Sequence, residues 1–169
     1  MDLATGAAAS ICAVVLLIAG LLKVRDRSTF ASQIAAYQVV PSVAALFLGH
    51  FLPWAEILGA LLILFAPWLG GLVCAALFLG FAVAVGTNVL RGRTELICGC
   101  FGPRGRQRIS RTHVLMNLCL AAAALFAMSR AGPPSLAALR TGISAVLLAS
   151  LWSVARDLRR ANRQLQTGK

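Results

Sequence analysis

Two cysteines stand one glycine apart in "ELICGCFGPRGR": Cys98 and Cys100 flank Gly99, with Gly102 and Pro103 just beyond. Thiols this close can reach the Cα separation a disulfide needs, and the glycine relaxes the backbone demand of so small a ring. A bridge in such a ring is strained and easily reduced, which suits disulfide transfer better than a structural staple. Arg93, Arg104 and Arg106 are near in sequence and would favour the thiolate, the nucleophilic form. Two other readings use the same residues. Cys98 and Cys100 could join His113 and Met116 as soft or borderline metal ligands, although no ligand beyond the two thiolates has an evident spacing. Alternatively, both are small apolar residues in a buried loop. A lone Cys-Gly-Cys does not choose among the three.

A carboxylate supplies the second chemical signal. Glu56 lies inside a long apolar run, where a charge is costly unless it is protonated, paired or facing water. Pro53, three residues earlier, frees the carbonyl of Gly49 and can open a polar pocket with His50 and Trp54 nearby. An intramembrane acid is a functional candidate by default, against the plainer reading of a hydrogen bond between helices. Lys23 at the end of the first apolar run, with His113 and Asn117 on a later one, completes the candidate polar site within the membrane. The plainer role for Lys23 is to anchor a helix end.

The elements that carry these residues are set by hydropathy. The chain has 169 residues, 59% of them hydrophobic and 12% charged, with a mean hydropathy of +0.83. A soluble domain of this length cannot hide that much apolar surface, whereas a polytopic membrane protein need not. The odd count of five cysteines does not form a secreted disulfide framework. Spans are expected at Leu3–Leu22, Val43–Phe65, Leu69–Leu90 and Thr112–Met128, with a fifth near Leu136–Val154. Pro67 and Gly70–Gly71 in "APWLGG" mark a tight turn between the second and third spans. Backbone groups in lipid must pair internally, so the spans are helices. The first is expected to be retained rather than cleaved, because Lys23, Arg25 and Arg27 follow its apolar run instead of preceding it. Residues 29–41 are too short to span and are expected along the interface, with Tyr37 as an anchor. Ala76, Gly80 and Ala84, and likewise Ala55 and Gly59, recur every fourth residue and are expected to let helices approach closely.

The net charge of +11 is distributed as in a membrane protein. Basic residues cluster after the first span, between the third and fourth, and in the tail, leaving Arg130 and Arg140 on the other side. This is the positive-inside pattern, with the N-terminus outside and the C-terminus cytoplasmic. Contact with anionic lipid explains it, and no nucleic-acid partner is expected.

With those residues in view, the chain resembles the MauE family of methylamine utilisation membrane proteins, distantly similar to DoxX-type membrane proteins. The resemblance is carried by "LIAGLLKVRD", "YQVVP", "LPWAEILGALLIL", "LRGRTELICGCFG" and "ISRTHVLMNLCLA", between residue 17 and about residue 128. It implies an all-α polytopic transmembrane helix bundle in the cytoplasmic (inner) membrane. Residues 1–130 would form a four-helix MauE/DoxX-like domain; outside the part the resemblance covers, hydropathy and charge give 131–155 as an additional transmembrane helix and 156–169 as a basic cytoplasmic tail. It further implies a part in maturing the disulfide-rich small subunit of methylamine dehydrogenase, beside a thioredoxin-like (MauD-like) redox protein. That adds weight to thiol–disulfide transfer at Cys98 and Cys100. The alternatives are a non-catalytic scaffold or chaperone for that partner, and soft-metal handling. The residues imply no cofactor, and a quinone stays open as an electron acceptor. Charge counting places the Cys-Gly-Cys loop inside while the implied client is outside. The loop re-entering the membrane, electrons crossing it, or an inverted topology would each reconcile the two. Cys12 and Cys74, in the outer halves of their spans, form a candidate second thiol pair, with inert packing as the plainer reading.

Overall fold

A computed structural model of the chain describes residues 3–99 and 107–130. Among the described residues there are five helices: α1 (Leu3–Val24), α2 (Arg27–Tyr37), α3 (Ser42–Phe65), α4 (Pro67–Leu90) and α5 (Arg111–Ser129). All but α2 are long and apolar enough to cross a membrane, the shortest having 19 residues. At about 1.5 Å per residue that length is about 28 Å, close to a bilayer's hydrocarbon thickness. The four expected spans in this region are therefore present, and the fold is an all-α membrane bundle. The expected fifth span near Leu136–Val154 and the basic tail lie outside the described residues.

Side-chain size is sorted as lipid allows. Phe47, Phe51, Leu58 and Trp68 face outward, whereas Ala9, Ala13, Ala60, Ala75 and Ala124 fill the core. With lipid as solvent, burying large apolar groups gains little, so close backbone approach decides the packing. Glycines mark the closest contacts. A Cβ at Gly70 would lie 2.0 Å from the Ile63 nitrogen, and one at Gly71 would lie 2.8 Å from the Ala124 carbonyl oxygen. These glycines were expected in a turn. Instead the turn is reduced to Ala66, Pro67 opens α4, and both glycines sit in its first turns, letting α3 and α5 dock. Gly59 behaves as expected, with Val73 and Cys74 of α4 packed on it. The Ala76–Gly80–Ala84 face does not. No atom lies within 4 Å of a Cβ built on Gly80, and all three residues line a cavity instead of receiving a helix.

The short helix α2 starts where the Asp26 carboxylate accepts from the Thr29 amide at 3.2 Å. It ends at Gln38 in the left-handed conformation, with φ 51°. Its Phe30 and Ala31 are buried, and Ala31 meets Gly49 of α3 so closely that a Cβ there would lie 2.5 Å from the alanine methyl. Tyr37, expected as an interfacial anchor, donates its hydroxyl to the Ile97 carbonyl at 3.2 Å. The α4–α5 connection is pinned at its base by an antiparallel bridge between Ile97 and Arg108. The Cys98 amide donates to Gln107 at 2.7 Å, and the Ile109 amide donates to Leu96 at 2.9 Å.

These contacts predict opposite outcomes for two alanine substitutions. Gly70→Ala forces a methyl into the Ile63 backbone and should destabilise the protein by about 1–3 kcal/mol, the usual cost of overpacking. Gly80→Ala should leave the melting temperature of the detergent-solubilised protein essentially unchanged. Equal melting temperatures for the two variants would contradict the packing described.

Candidate functional site

Lys23 comes from the last turn of α1, where a helical side chain leans back toward the N-terminus of its own helix. That lean carries its ammonium into the bundle, where it donates to Oε1 of Glu56 on α3. Both side chains are 0% exposed. The helices can meet here because of Gly20, where a Cβ would lie 2.8 Å from both the Pro53 carbonyl oxygen and Ile57. The Lys23 ammonium also lies 4.9 Å from the ring centre of Phe30 and 4.7 Å from that of Phe81, a cation–π arrangement. One lysine thus touches α2, α3 and α4. Lys23 is not an end anchor: a desolvated ammonium with a carboxylate and two ring faces around it has no cause to reach the membrane surface.

The second carboxylate oxygen, Glu56 Oε2, is buried without a hydrogen-bond partner among the described residues. Glu56 lines a small cavity of about 30 Å³ together with His113, Asn117 and Met116. A space of that size accommodates one water molecule. The Asn117 side-chain amide donates to the His113 carbonyl at 2.8 Å, and His113 Nδ1 lies 2.8 Å from Ser110 Oγ. The four polar residues singled out in the sequence therefore converge, two in contact and two across this cavity. His50 and Trp54 do not join them. Both are exposed, His50 with its ring nitrogen 3.0 Å from the Leu46 carbonyl and Trp54 beside the Arg27 guanidinium. Residues two and six positions before Glu56 fall on other faces of a 3.6-residue helix.

Cys98 is 4% exposed and packs with Val85 and Ile109, flanked by Tyr37, Val89, Leu96 and Val114. Gly99 fits under α2. A Cβ there would lie 2.8 Å from Gln33 Oε1 and 3.4 Å from the edge of Phe30. The Phe30 ring thus stands between the Lys23 ammonium and the centre of the Cys-Gly-Cys motif. Cys100, Arg104 and Arg106 lie outside the described residues. Arg93, expected to favour a thiolate, is engaged elsewhere. Its guanidinium donates to the Ala36 carbonyl at 3.0 Å, Gln38 Oε1 at 3.1 Å and Asn88 Oδ1 at 3.3 Å. A cation at the carbonyl end of α2 satisfies groups the helix leaves open.

The remaining thiols and the metal reading can be placed as well. Cys12 and Cys74 are buried in one apolar cluster, and their thiols face the carbonyls of Leu120 at 3.6 Å and Gly59 at 3.3 Å. Both contacts tie neighbouring helices together, as the packing reading requires. Among the described residues no group of three or more His, Cys, Asp or Glu side chains lies together as metal ligands would. Two residues at the site escaped the sequence reading. Gln33 Oε1 is buried and unpartnered among the described residues, and Asn88 receives Arg93. For Gln33 a signal existed: Phe30, Gln33, Ile34 and Tyr37 form one i, i+3, i+4, i+7 stripe.

Fold and site together define a multi-pass helical membrane protein with a thiol-bearing loop seated beside a buried lysine–glutamate pair. The family described as Methylamine utilisation protein MauE matches residues 1–130, and the chain belongs to it. A MauE protein of Methylophilus methylotrophus is 35% identical over 153 residues, covering 86% of this chain and 80% of that protein. One of Paracoccus denitrificans is 35% identical over 148 residues, covering 86% and 73%. One of Paracoccus versutus is 37% identical over 134 residues, covering 75% and 71%. No solved structure matches the chain.

The ion pair predicts a non-additive stability cycle. Lys23→Met alone strands a buried carboxylate and should cost about 3–5 kcal/mol, whereas adding Glu56→Leu should restore most of that loss. Thermal melts of both variants in detergent check it. Additive losses in the double variant would mean the two side chains act independently.

Proposed function

We propose that this chain is an integral component of thiol–disulfide maturation of an extracytoplasmic protein, serving methylamine utilisation as the names of its relatives suggest. Cys98 and Cys100 carry the exchange. In each cycle a disulfide between them accepts two electrons and two protons from a dithiol and is left as two thiols, while the donor is left as a disulfide. The donor is a thioredoxin-like (MauD-like) partner, which in turn oxidises the client, a disulfide-containing subunit. The protein resides in the cytoplasmic membrane, and its charge distribution favours an N-terminus outside. Exchange with an extracytoplasmic partner then needs the loop to re-enter the membrane, electrons to cross it, or an inverted topology, and a reporter fused after Lys169 tests the last.

The observation that supports this reading most is the fixed seat of Cys98. The backbone beside it is pinned by the isolated bridge between Ile97 and Arg108, its neighbour Gly99 is packed under Phe30, and its flank is tied to α2 through Tyr37. The thiol displaced in the exchange needs such a defined position beside its partner, so that the disulfide can form again. A sulfur 4% exposed is not easily reached by another protein, which leaves Cys100 as the sulfur that the partner's thiolate attacks and Cys98 as the thiol displaced. The same burial also favours a second reading, in which the loop is structural and the protein is a scaffold for its redox partner.

Trapping decides between them. In Cys98→Ser the lone Cys100 can still join the partner in a mixed disulfide that no neighbouring thiol displaces, so a reducible adduct with a thioredoxin-like protein should accumulate on a non-reducing gel, whereas Cys100→Ser should give none. Both variants should lose client maturation. Near-normal maturation with both cysteines replaced by serine would leave the scaffold reading standing and the exchange reading refuted.

A further inference from the structure

Helices α3 and α4 meet where Val73 and Cys74 pack on Gly59, yet a Cβ at Gly80 meets nothing within 4 Å. The space left between α2, α3 and α4 is a partly enclosed cavity of about 420 Å³, within the range of small-molecule sites. Leu48 and Leu52 of α3 form one wall, and the Ala76–Gly80–Ala84 face of α4 forms another. One side is open. Val83 on the rim is 60% exposed, and Ala76 and Gly80 are exposed as well. At the depth of these helices the opening meets lipid tails rather than water. From Ala76 to Val85 the cavity runs about 13 Å along α4 at about 1.5 Å per residue, close to the depth of one leaflet, about 15 Å.

The end of the cavity nearest the α4 terminus is basic. Tyr37 and Val39 line it, and Gln38 between them holds both arginines that follow α4. The Arg91 guanidinium donates to the Gln38 carbonyl at 3.3 Å, and that of Arg93 donates to Gln38 Oε1 at 3.1 Å. Arg93 is committed further, to Ala36 and Asn88. Arg91 is exposed, and only one nitrogen of its five-donor guanidinium group is engaged among the described residues.

We propose that this cavity seats one acyl chain of an anionic phospholipid, whose phosphate rests on Arg91. The chain needs no polar partner, and the walls offer it none, since Gln33 Oε1 is buried against Gly99. The phosphate supplies the acceptor that the free donors of Arg91 lack, and a net negative headgroup suits a cation at the membrane surface. Phe30, Tyr37 and Gly99 belong to the same walls. A seated lipid therefore braces α2 and the backbone beside Cys98 from the bilayer side, whether or not the loop exchanges disulfides.

The full-length protein, delipidated in detergent, is titrated with phosphatidylglycerol and with phosphatidylcholine carrying the same acyl chains. Native mass spectrometry counts the bound lipid. One phosphatidylglycerol should bind per chain, about fivefold or more tighter than phosphatidylcholine. Arg91→Gln should remove that preference while a lipid still binds. Gly80→Leu should weaken both lipids about tenfold, because its added carbons take the place of chain methylenes. In nanodiscs, phosphatidylglycerol with a diazirine in its acyl chain should label Leu48, Leu52 and Ala84 of the wild-type protein more heavily than the outward-facing Leu58 and Trp68. Equal affinity for the two lipids would overturn the anionic site, and so would unchanged binding in Gly80→Leu. Labelling no heavier in the cavity than at Leu58, as when only bulk lipid or the Leu136–Val154 segment covers this face, would overturn the seat itself. That arm uses the wild-type protein, so it stands even where Gly80→Leu fails to fold.

Discussion

Burying an ammonium and a carboxylate inside a membrane bundle is tolerable only while each has the other. Desolvation costs several kcal/mol per ion and is offset only by close, well-placed contact. Lys23 and Glu56 therefore fix the register of α1 on α3: if either helix slid by a turn, both charges would be stranded in an apolar medium. Gly20 and Pro53 belong to the same constraint, because the contact needs the α1 backbone to lie against the Pro53 carbonyl. Phe30 and Phe81 extend it, placing α2 and α4 around the same ammonium.

From there the constraint reaches the thiol loop through α2. Phe30 contacts the lysine with its face and stands close to Gly99 at its edge. Arg91 and Arg93, at the start of the α4–α5 connection, hold the carbonyl end of α2, and Tyr37 holds Ile97. The loop is thus tied to a helix that the ion pair positions. Glycine between the cysteines has a spatial cause as well as a conformational one, since Gln33 and Phe30 occupy the space a side chain would need.

The spans were legible because lipid imposes a length and a near-absence of charge, and the runs around Leu3–Val24 and Ser42–Phe65 satisfy both. Glu56 was legible for the same reason, as an exception within such a run. Its partner was legible only as one of two readings. Lys23 lies in the last turn of its helix, where a surface anchor and a side chain leaning back into the bundle look identical in one dimension. The glycines of "APWLGG" were misplaced because a turn and a close helix contact both demand glycine, and only tertiary structure separates them. The Ala76–Gly80–Ala84 stripe failed in the opposite direction. Small residues permit close approach without compelling it, and here they leave room for a ligand-sized space.

The central claim is that a loop seated at Cys98 and Gly99 carries a thiol pair that changes redox state in the membrane. Acid quenching of growing cells, followed by alkylation with a mass-shifting maleimide, reads that state directly when Cys12, Cys74 and Cys119 are replaced. The account predicts two populations, one with Cys98 and Cys100 alkylated and one protected as a disulfide, with the protected form rising when the thioredoxin-like partner is removed. Complete alkylation of both cysteines, with and without that partner, would contradict it.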